Sequence, residues 1–326
     1  MGTGEKRLLR RRLALVGAAA LVALLALGAA TPAVAKKKKK KKAPPAVTTS
    51  AIAPLSSGGS ASATANCTGK THISGGGYVA SPHLEFGPPA TGFNAVSTTS
   101  TPVGATAWNA KSDAFSTPAA SGSITTMARC ESNSLGKLAV VVTGTATVPS
   151  GTLDNLVIHC PSGSHVVGAG YDGTGLGSYV PSFGSFRMFI LQSRRTAINQ
   201  WTISAFESSV NPAIGTINVA AICERDAKGR SIGEVAQIAN FGSLSRASAD
   251  ATCPAKQHVL SGGYLLSPIP ANSGAPPVVG VDEFEPVGES TWHLGLHTIG
   301  PQPAGSSVAT YAYCAKDTIK KKKKKK

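Results

Sequence analysis

Six cysteines and three tryptophans recur at one fixed spacing along this chain of 326 residues. Cys67, Cys160 and Cys253 lie 93 residues apart, as do Cys130 and Cys223, and Cys314 follows after 91. The two cysteines of each pair are separated by 63, 63 and 61 residues, and Trp108, Trp201 and Trp292 each precede the second by 22. Such regularity restricts the chain to three copies of one structural unit, because each copy must satisfy the same local rules.

The segments between these anchors repeat as well. HISGGGY from His72, HVVGAGY from His165 and HVLSGGY from His258 follow the first cysteine of each unit. ITTMARC, INVAAIC and VATYAYC, from Ile124, Ile217 and Val308, lead into the second. Every second residue back from that cysteine is Ala, then Thr or Val, then Ile or Val. That is a strand with one face of small and β-branched side chains. A further strand precedes each first cysteine: PAVTTSAIAPL from Pro45, LAVVVTGTATV from Leu138 and SIGEVAQIANF from Ser231. Helix is disfavoured by the Gly, Thr and β-branched content. The glycines after each histidine read as a strand ending in a bulge or tight bend, with positive φ open to them. The Tyr and Trp of each unit supply its large core pieces.

The expected fold class is therefore all-β: three tandem disulfide-bonded antiparallel β repeats, sandwich-like or prism-like, with pseudo-three-fold closure as one arrangement. The repeats span 44–134, 135–227 and 228–319. No Pro-rich linker separates them, which favours one compact body over beads.

Charge locates the tails. The formal net charge is +16, but residues 1–35 hold five basic side chains against Glu5. Two runs, at 36–43 and 320–326, hold fourteen lysines: Lys36, Lys37, Lys38, Lys39, Lys40, Lys41 and Lys42, then Lys320, Lys321, Lys322, Lys323, Lys324, Lys325 and Lys326. The intervening body carries 13 basic and 15 acidic side chains and is nearly neutral. No basic patch for nucleic acid is implied on the body. Lys6, Arg7 and Arg10 to Arg12, the apolar stretch from Leu13 to Ala30, and Ala33-Val34-Ala35 read as a signal peptide over 1–35 cleaved after Ala35. An uncleaved anchor is the alternative. Lysines directly after the signal oppose the positive-inside preference, so a twin-arginine route stands beside the general one. The protein is thus expected to be secreted or at the cell surface.

Six cysteines in an exported chain imply disulfides. Pairs within repeats, Cys67–Cys130, Cys160–Cys223 and Cys253–Cys314, are the simplest choice, because a duplicated unit carries its own bridge. Pairs between repeats, Cys130–Cys160 and Cys223–Cys253 with Cys67–Cys314 closing a ring, are the competitor. No two cysteines have the short spacing of a zinc knuckle.

With these residues in view, the chain resembles a group of secreted proteins of high-GC Gram-positive bacteria. Their repeat runs Cys-Pro-x-Gly, an apolar pair, a Gly-rich turn, a mid-repeat Trp and a strand ending Ala-x-Cys. The matches are Cys160-Pro161-Ser162-Gly163, Cys253-Pro254-Ala255, Gly75 to Gly77, the three Trp, and Ala128, Ala221 and Ala312. Repeat 1 departs, with Thr68 where Pro is usual. The resemblance implies a secreted or surface β protein and brings no activity.

Candidate chemistry is sparse, and no catalytic residue or cofactor is expected. His72, His165 and His258 occupy equivalent positions. If the repeats pack about a three-fold axis, three imidazoles converge and suit Zn²⁺ or Cu²⁺; otherwise alternation against Ile73, Val166 and Val259 puts them on a solvent side. His293 and His297 read as two exposed strand histidines, since four strand residues span about 13 Å. Gly168, Gly170 and Gly173 match G-x-G-x-x-G, but no helix follows to receive a phosphate. Asp282, Glu283 and Glu285 form the densest acidic cluster and read as a solvated loop.

The function expected from sequence is a non-enzymatic binding or structural protein, secreted or envelope-associated. Its lysine tails would hold it to an anionic cell-wall polymer or lipid surface; a glycan ligand for the body fits, and export removes nucleic acid from its compartment. The alternative is a secreted hydrolase of polysaccharide or peptide with its site in repeat 3.

Overall fold

A computed structural model of the chain describes residues 46–316 apart from 57, 82–93, 116–120, 135–136, 150, 174–187, 208–213, 226–230, 242–245, 268–277 and 300–304. Residues 1–35, read from sequence as a signal peptide, and both lysine runs lie outside the described residues. Residues 43–326 form one unit.

Alternation sets the strands. In the segments before the first cysteines, Ala63 and Ala65, or Ala247, Ala249 and Ala251, are buried while the polar residues between them are exposed. Repeat 1 forms β1 (Ala46–Ser56), β2 (Ser60–Asn66), β3 (Thr71–Ser81), β4 (Asn94–Val103), β5 (Ala107–Phe115) and β6 (Ser121–Ser132). Repeat 2 forms β7 (Lys137–Pro149), β8 (Leu153–His159), β9 (Ser164–Asp172), β10 (Met188–Ala197), β11 (Gln200–Glu207) and β12 (Ile214–Arg225). Repeat 3 forms β13 (Ile232–Asn240), β14 (Arg246–Thr252), β15 (Gln257–Ser267), β16 (Val278–Val287), β17 (Thr291–Ile299) and β18 (Ser307–Lys316).

No sheet belongs to one repeat. The three six-stranded sheets have the orders β1-β6-β3-β16-β17-β14, β2-β5-β4-β9-β12-β7 and β13-β18-β15-β10-β11-β8, all antiparallel. Each repeat gives its first, sixth and third strands to one sheet and its second, fifth and fourth to the next. Repeat 1 joins repeat 2, repeat 2 joins repeat 3, and repeat 3 joins repeat 1. This is the cyclic exchange of a three-sided, pseudo-three-fold prism. A separate sandwich per repeat is ruled out, because half of each repeat's strands complete a neighbour's sheet.

Each seam between repeats is short and equivalent: Phe284 opposite Tyr78, Ser100 opposite Tyr171 and Ser193 opposite Tyr264. The last glycine of each cluster permits it. A Cβ added at Gly77, Gly170 or Gly263 would lie under 3.0 Å from the backbone oxygen of Phe284, Ser100 or Ser193, respectively. The glycine cluster thus serves close approach, and none of Gly75, Gly76 or Gly77 has positive φ. The anticipated bulge is present, but at its start: the register slips between Ile73 and Gly75, and between Val259 and Ser261. Positive φ is used instead in the turn after each first cysteine, at Gly69, Gly163 and, unusually, Lys256 (φ 65°).

β3, β9 and β15 also touch one another pairwise along the centre. Ser74 donates to Leu260 O at 3.0 Å, and Ser261 donates to Val167 O. Further along, Tyr78, Tyr171 and Tyr264 are all buried, Tyr78 donating to Val281 O at 3.2 Å and Tyr264 to Ile190 O at 3.3 Å. Burial pushes the Tyr78 and Tyr264 hydroxyls well above the usual phenol range. The three tryptophans are at most 1 % exposed. Trp108 and Trp201 donate to Ser100 and Ser193 Oγ, whereas repeat 3 has Phe284 at that position and Trp292 meets it edge to face at 5.1 Å.

The disulfides are Cys67–Cys130, Cys160–Cys223 and Cys253–Cys314. Each is internal to a repeat, yet each joins two sheets. The first cysteine directly follows the second strand, and the other lies in the sixth. Strand exchange turns three intra-repeat bridges into staples around the whole ring.

Candidate functional site

The three repeated histidines begin the three axial strands. The strand ladder sets His72 opposite Glu131, His165 opposite Glu224 and His258 opposite Ala315. All three histidines are buried, at 3, 4 and 1 % exposure, and both glutamates are 0 % exposed. The solvent-side reading of these histidines is therefore wrong: closure of the prism places the start of each axial strand inside.

Two short contacts cross between repeats. His72 Nε2 of repeat 1 lies 2.8 Å from Glu224 Oε1 of repeat 2. His258 Nε2 of repeat 3 lies 2.8 Å from Glu131 Oε1 of repeat 1. Within repeats the separations are longer, 3.8 Å from His72 Nε2 to Glu131 Oε2 and 3.9 Å from His165 Nε2 to Glu224 Oε2. The third inter-repeat link has no carboxylate, because Ala315 stands where repeats 1 and 2 have glutamate. The result is five titratable groups, three imidazoles and two carboxylates, drawn from all three repeats.

Local structure holds these groups in place. Ile73, Val166 and Val259, each next to a histidine, donate their N–H at 3.0 Å to Ala105, Ile198 and Glu289 O in the turns joining the fourth and fifth strands. His72 Nδ1 donates to Asn133 Oδ1 at 2.7 Å, which fixes the ring and directs Nε2 at the carboxylates. Burial opposes protonation of His72, but Glu224, Asn133 and Glu131 outweigh it and raise its pKa above the ordinary imidazole value. Arg129 flanks the cluster, donating to Val259 O and Glu289 O at 2.8 Å each. Its burial lowers its pKa to about 10.

A scan against protein-family models and a search of curated proteins return no match for this chain.

Chemistry must therefore be read from the groups themselves. His72 Nε2 and one oxygen each of Glu131 and Glu224 lie within 4.8 Å of one another, a separation that one cation can span. The sequence singled out the histidines and missed both glutamates. A signal existed: Cys-Glu ends two repeats and Cys-Ala the third.

A second polar group occurs in repeat 3 alone, on β14, β16 and β17. His293 donates from Nδ1 to Asp250 at 2.5 Å and from Nε2 to Glu283 at 2.8 Å. Its hydrogen bond to Glu283 raises its pKa, against desolvation, to about 9. His297 Nδ1 donates to Asp282 Oδ2 at 2.6 Å with both side chains buried, and Arg246 Nη2 is 3.8 Å from Glu283. The structure corrects two expectations here. His293 and His297 are not a pair of exposed strand residues, and Asp282, Glu283 and Glu285 belong to β16 rather than a solvated loop. A bulge at Asp282 turns that carboxylate inward to meet His297. Repeats 1 and 2 hold Asn109 and Thr202 in place of His293, and Thr99 and Gln192 in place of Glu283. The G-x-G-x-x-G glycines Gly168 and Gly170 lie in β9 and Gly173 just past its end, and the segment that follows lies outside the described residues.

Proposed function

We propose that the protein is a secreted or envelope-associated, non-enzymatic binding or structural protein, in keeping with the secreted repeat proteins that it resembles. The observation that carries the reading is the stapling of three exchanged sheets by three disulfides. Such cross-links persist in an oxidising compartment and suit a body that must hold its shape outside the cell. The lysine runs would anchor this body to anionic cell-wall polymer or lipid by a salt-sensitive attraction. A glycan is the ligand class in keeping with such a rigid β surface.

Sedimentation with isolated cell envelopes across a salt ramp tests this, comparing the mature chain with a tail-less 44–319 form. Release of the mature chain by salt, with no binding by the tail-less form, supports lysine anchoring. Binding of the tail-less form at high salt assigns recognition to the body instead. Absence of binding by either form sinks the proposal.

A second reading, a hydrolase of polysaccharide or peptide, is favoured by one observation. Asp250, Glu283, Asp282, His293 and His297 place acid–base groups in repeat 3 only, and an active site needs such a departure from symmetry. Turnover of envelope polysaccharide or peptide that Glu283→Gln abolishes would establish it.

A further inference from the structure

Burying two carboxylates costs far more than their mutual packing returns unless positive charge is placed beside them. The groups facing Glu131 and Glu224 are the imidazoles of His72, His165 and His258. Arg129 lies further off, with its own hydrogen bonds spent on carbonyls of the 288–289 turn, Val259 O and the Thr48 hydroxyl. Asn133 Oδ1 is an acceptor, so His72 carries its hydrogen on Nδ1. Its Nε2 lies 2.8 Å from Glu224 Oε1 and 3.8 Å from Glu131 Oε2; with no metal it donates a second hydrogen to them, and a metal that displaces this hydrogen meets the Nε2 lone pair and both carboxylates together. Three acceptors aimed at one region form the donor set of a metal site, and Asn133 is the outer partner that such a histidine usually has.

We propose that this axial cluster binds one divalent transition-metal cation of zinc type, through His72 Nε2 and one oxygen each of Glu131 and Glu224. Zinc bound to imidazole nitrogen and carboxylate oxygen holds neighbouring donors about 3 to 3.5 Å apart. The separations of 2.8 and 3.8 Å from His72 Nε2 to the two carboxylates bracket that range. An imidazole nitrogen among the donors selects a borderline metal over Ca²⁺ or Mg²⁺, which prefer all-oxygen shells. One dication neutralises both buried carboxylates at once. Because the ligands come from repeats 1 and 2, the metal braces the centre of the ring where these two repeats meet, as the disulfides brace it between sheets.

The test uses the full mature chain, stripped with a chelator and dialysed. Zn(II) is titrated calorimetrically at neutral pH, and metal retained after gel filtration is counted by elemental analysis. One zinc per chain is expected, with a higher melting temperature. Asn133→Ala, which removes only the outer partner, is expected to weaken affinity about 10-fold. Glu131→Gln with Glu224→Gln is expected to weaken it by about 100-fold or more, while His293→Ala leaves it unchanged. Failure of the folded wild-type chain to retain zinc overturns the proposal. So does zinc binding that survives the double glutamine variant, or that is lost with His293→Ala instead. If the double variant does not fold, an affinity unchanged by Asn133→Ala overturns it.

Discussion

His258 Nε2 of repeat 3 lies 2.8 Å from Glu131 Oε1 of repeat 1, 127 residues away in sequence, with both side chains at most 1 % exposed. The relationship exists only because β15 reaches β6 and its partner β3 at the centre of the ring.

Removing that carboxylate leaves a buried imidazole facing a void. Glu131→Ala is expected to lower unfolding stability by about 3 kcal/mol, the range for breaking one side of a buried pair. Urea denaturation of the metal-free protein measures it. A loss under about 0.5 kcal/mol, the range of ordinary surface changes, would mean that the cluster contributes little to closure.

The seam glycines make a sharper case. Gly170→Ala drives a methyl group into the backbone of Ser100 and Thr101, which cannot swing aside as a side chain can. A loss of more than about 2 kcal/mol is expected. Gly233→Ala, whose nearest neighbour would be 3.9 Å away, should change stability little. Equal effects from the two substitutions would remove the steric account of strand exchange.

Lys256 holds a left-handed conformation that repeat 2 gives to Gly163. Lys256→Gly should therefore stabilise the protein by about 1 kcal/mol, since an L side chain in this region costs about that much. Thermal melting of the variant checks the sign.

Each disulfide closes a loop of some 60 residues, and each should contribute about 2 to 5 kcal/mol. Replacing Cys160 and Cys223 by Ser is expected to lower the melting temperature and to raise amide exchange where β8 meets β12, two strands of different sheets. Exchange confined to a single sheet would contradict the inter-sheet role.

His293 offers a pH test. Its folded-state pKa is raised to about 9 from the usual 6.5, chiefly by Glu283. The protonated form is thus favoured by folding, and its stabilising effect is complete below about pH 6.5 and declines as pH rises through 9. His293→Ala should cost more stability at pH 6 than near pH 10, where the proton-linked part of the His293 contribution is gone. Nuclear magnetic resonance titration of the imidazole gives the pKa directly, and a value near 6.5 would disprove the pairing.

Much of this was legible in one dimension. Ala-x-Cys with β-branched residues at every second position could only be a half-buried strand, and the 93-residue spacing of Cys and Trp fixed the number of units. His72, His165 and His258 stood out because they repeat. Glu131 and Glu224 did not, for a carboxylate at the end of a strand is ordinarily solvated, and only convergence of three strand starts shuts these two away from water. His297 and Asp282 were misread for the same reason. Alternation along a single strand says which residues share a face, but not whether a bulge turns one of them inward.

Local chemistry along the chain determined the all-β class, the three repeats, the partners within each cysteine pair as the simplest choice, and the neutral body between basic tails. Tertiary structure decided that the repeats exchange strands, that intra-repeat disulfides join different sheets, and that five titratable side chains share one buried centre. The physical reason is range. Periodicity and turn chemistry act over a few residues, whereas burial, charge pairing and the close approach allowed at Gly77, Gly170 and Gly263 depend on which distant strands meet.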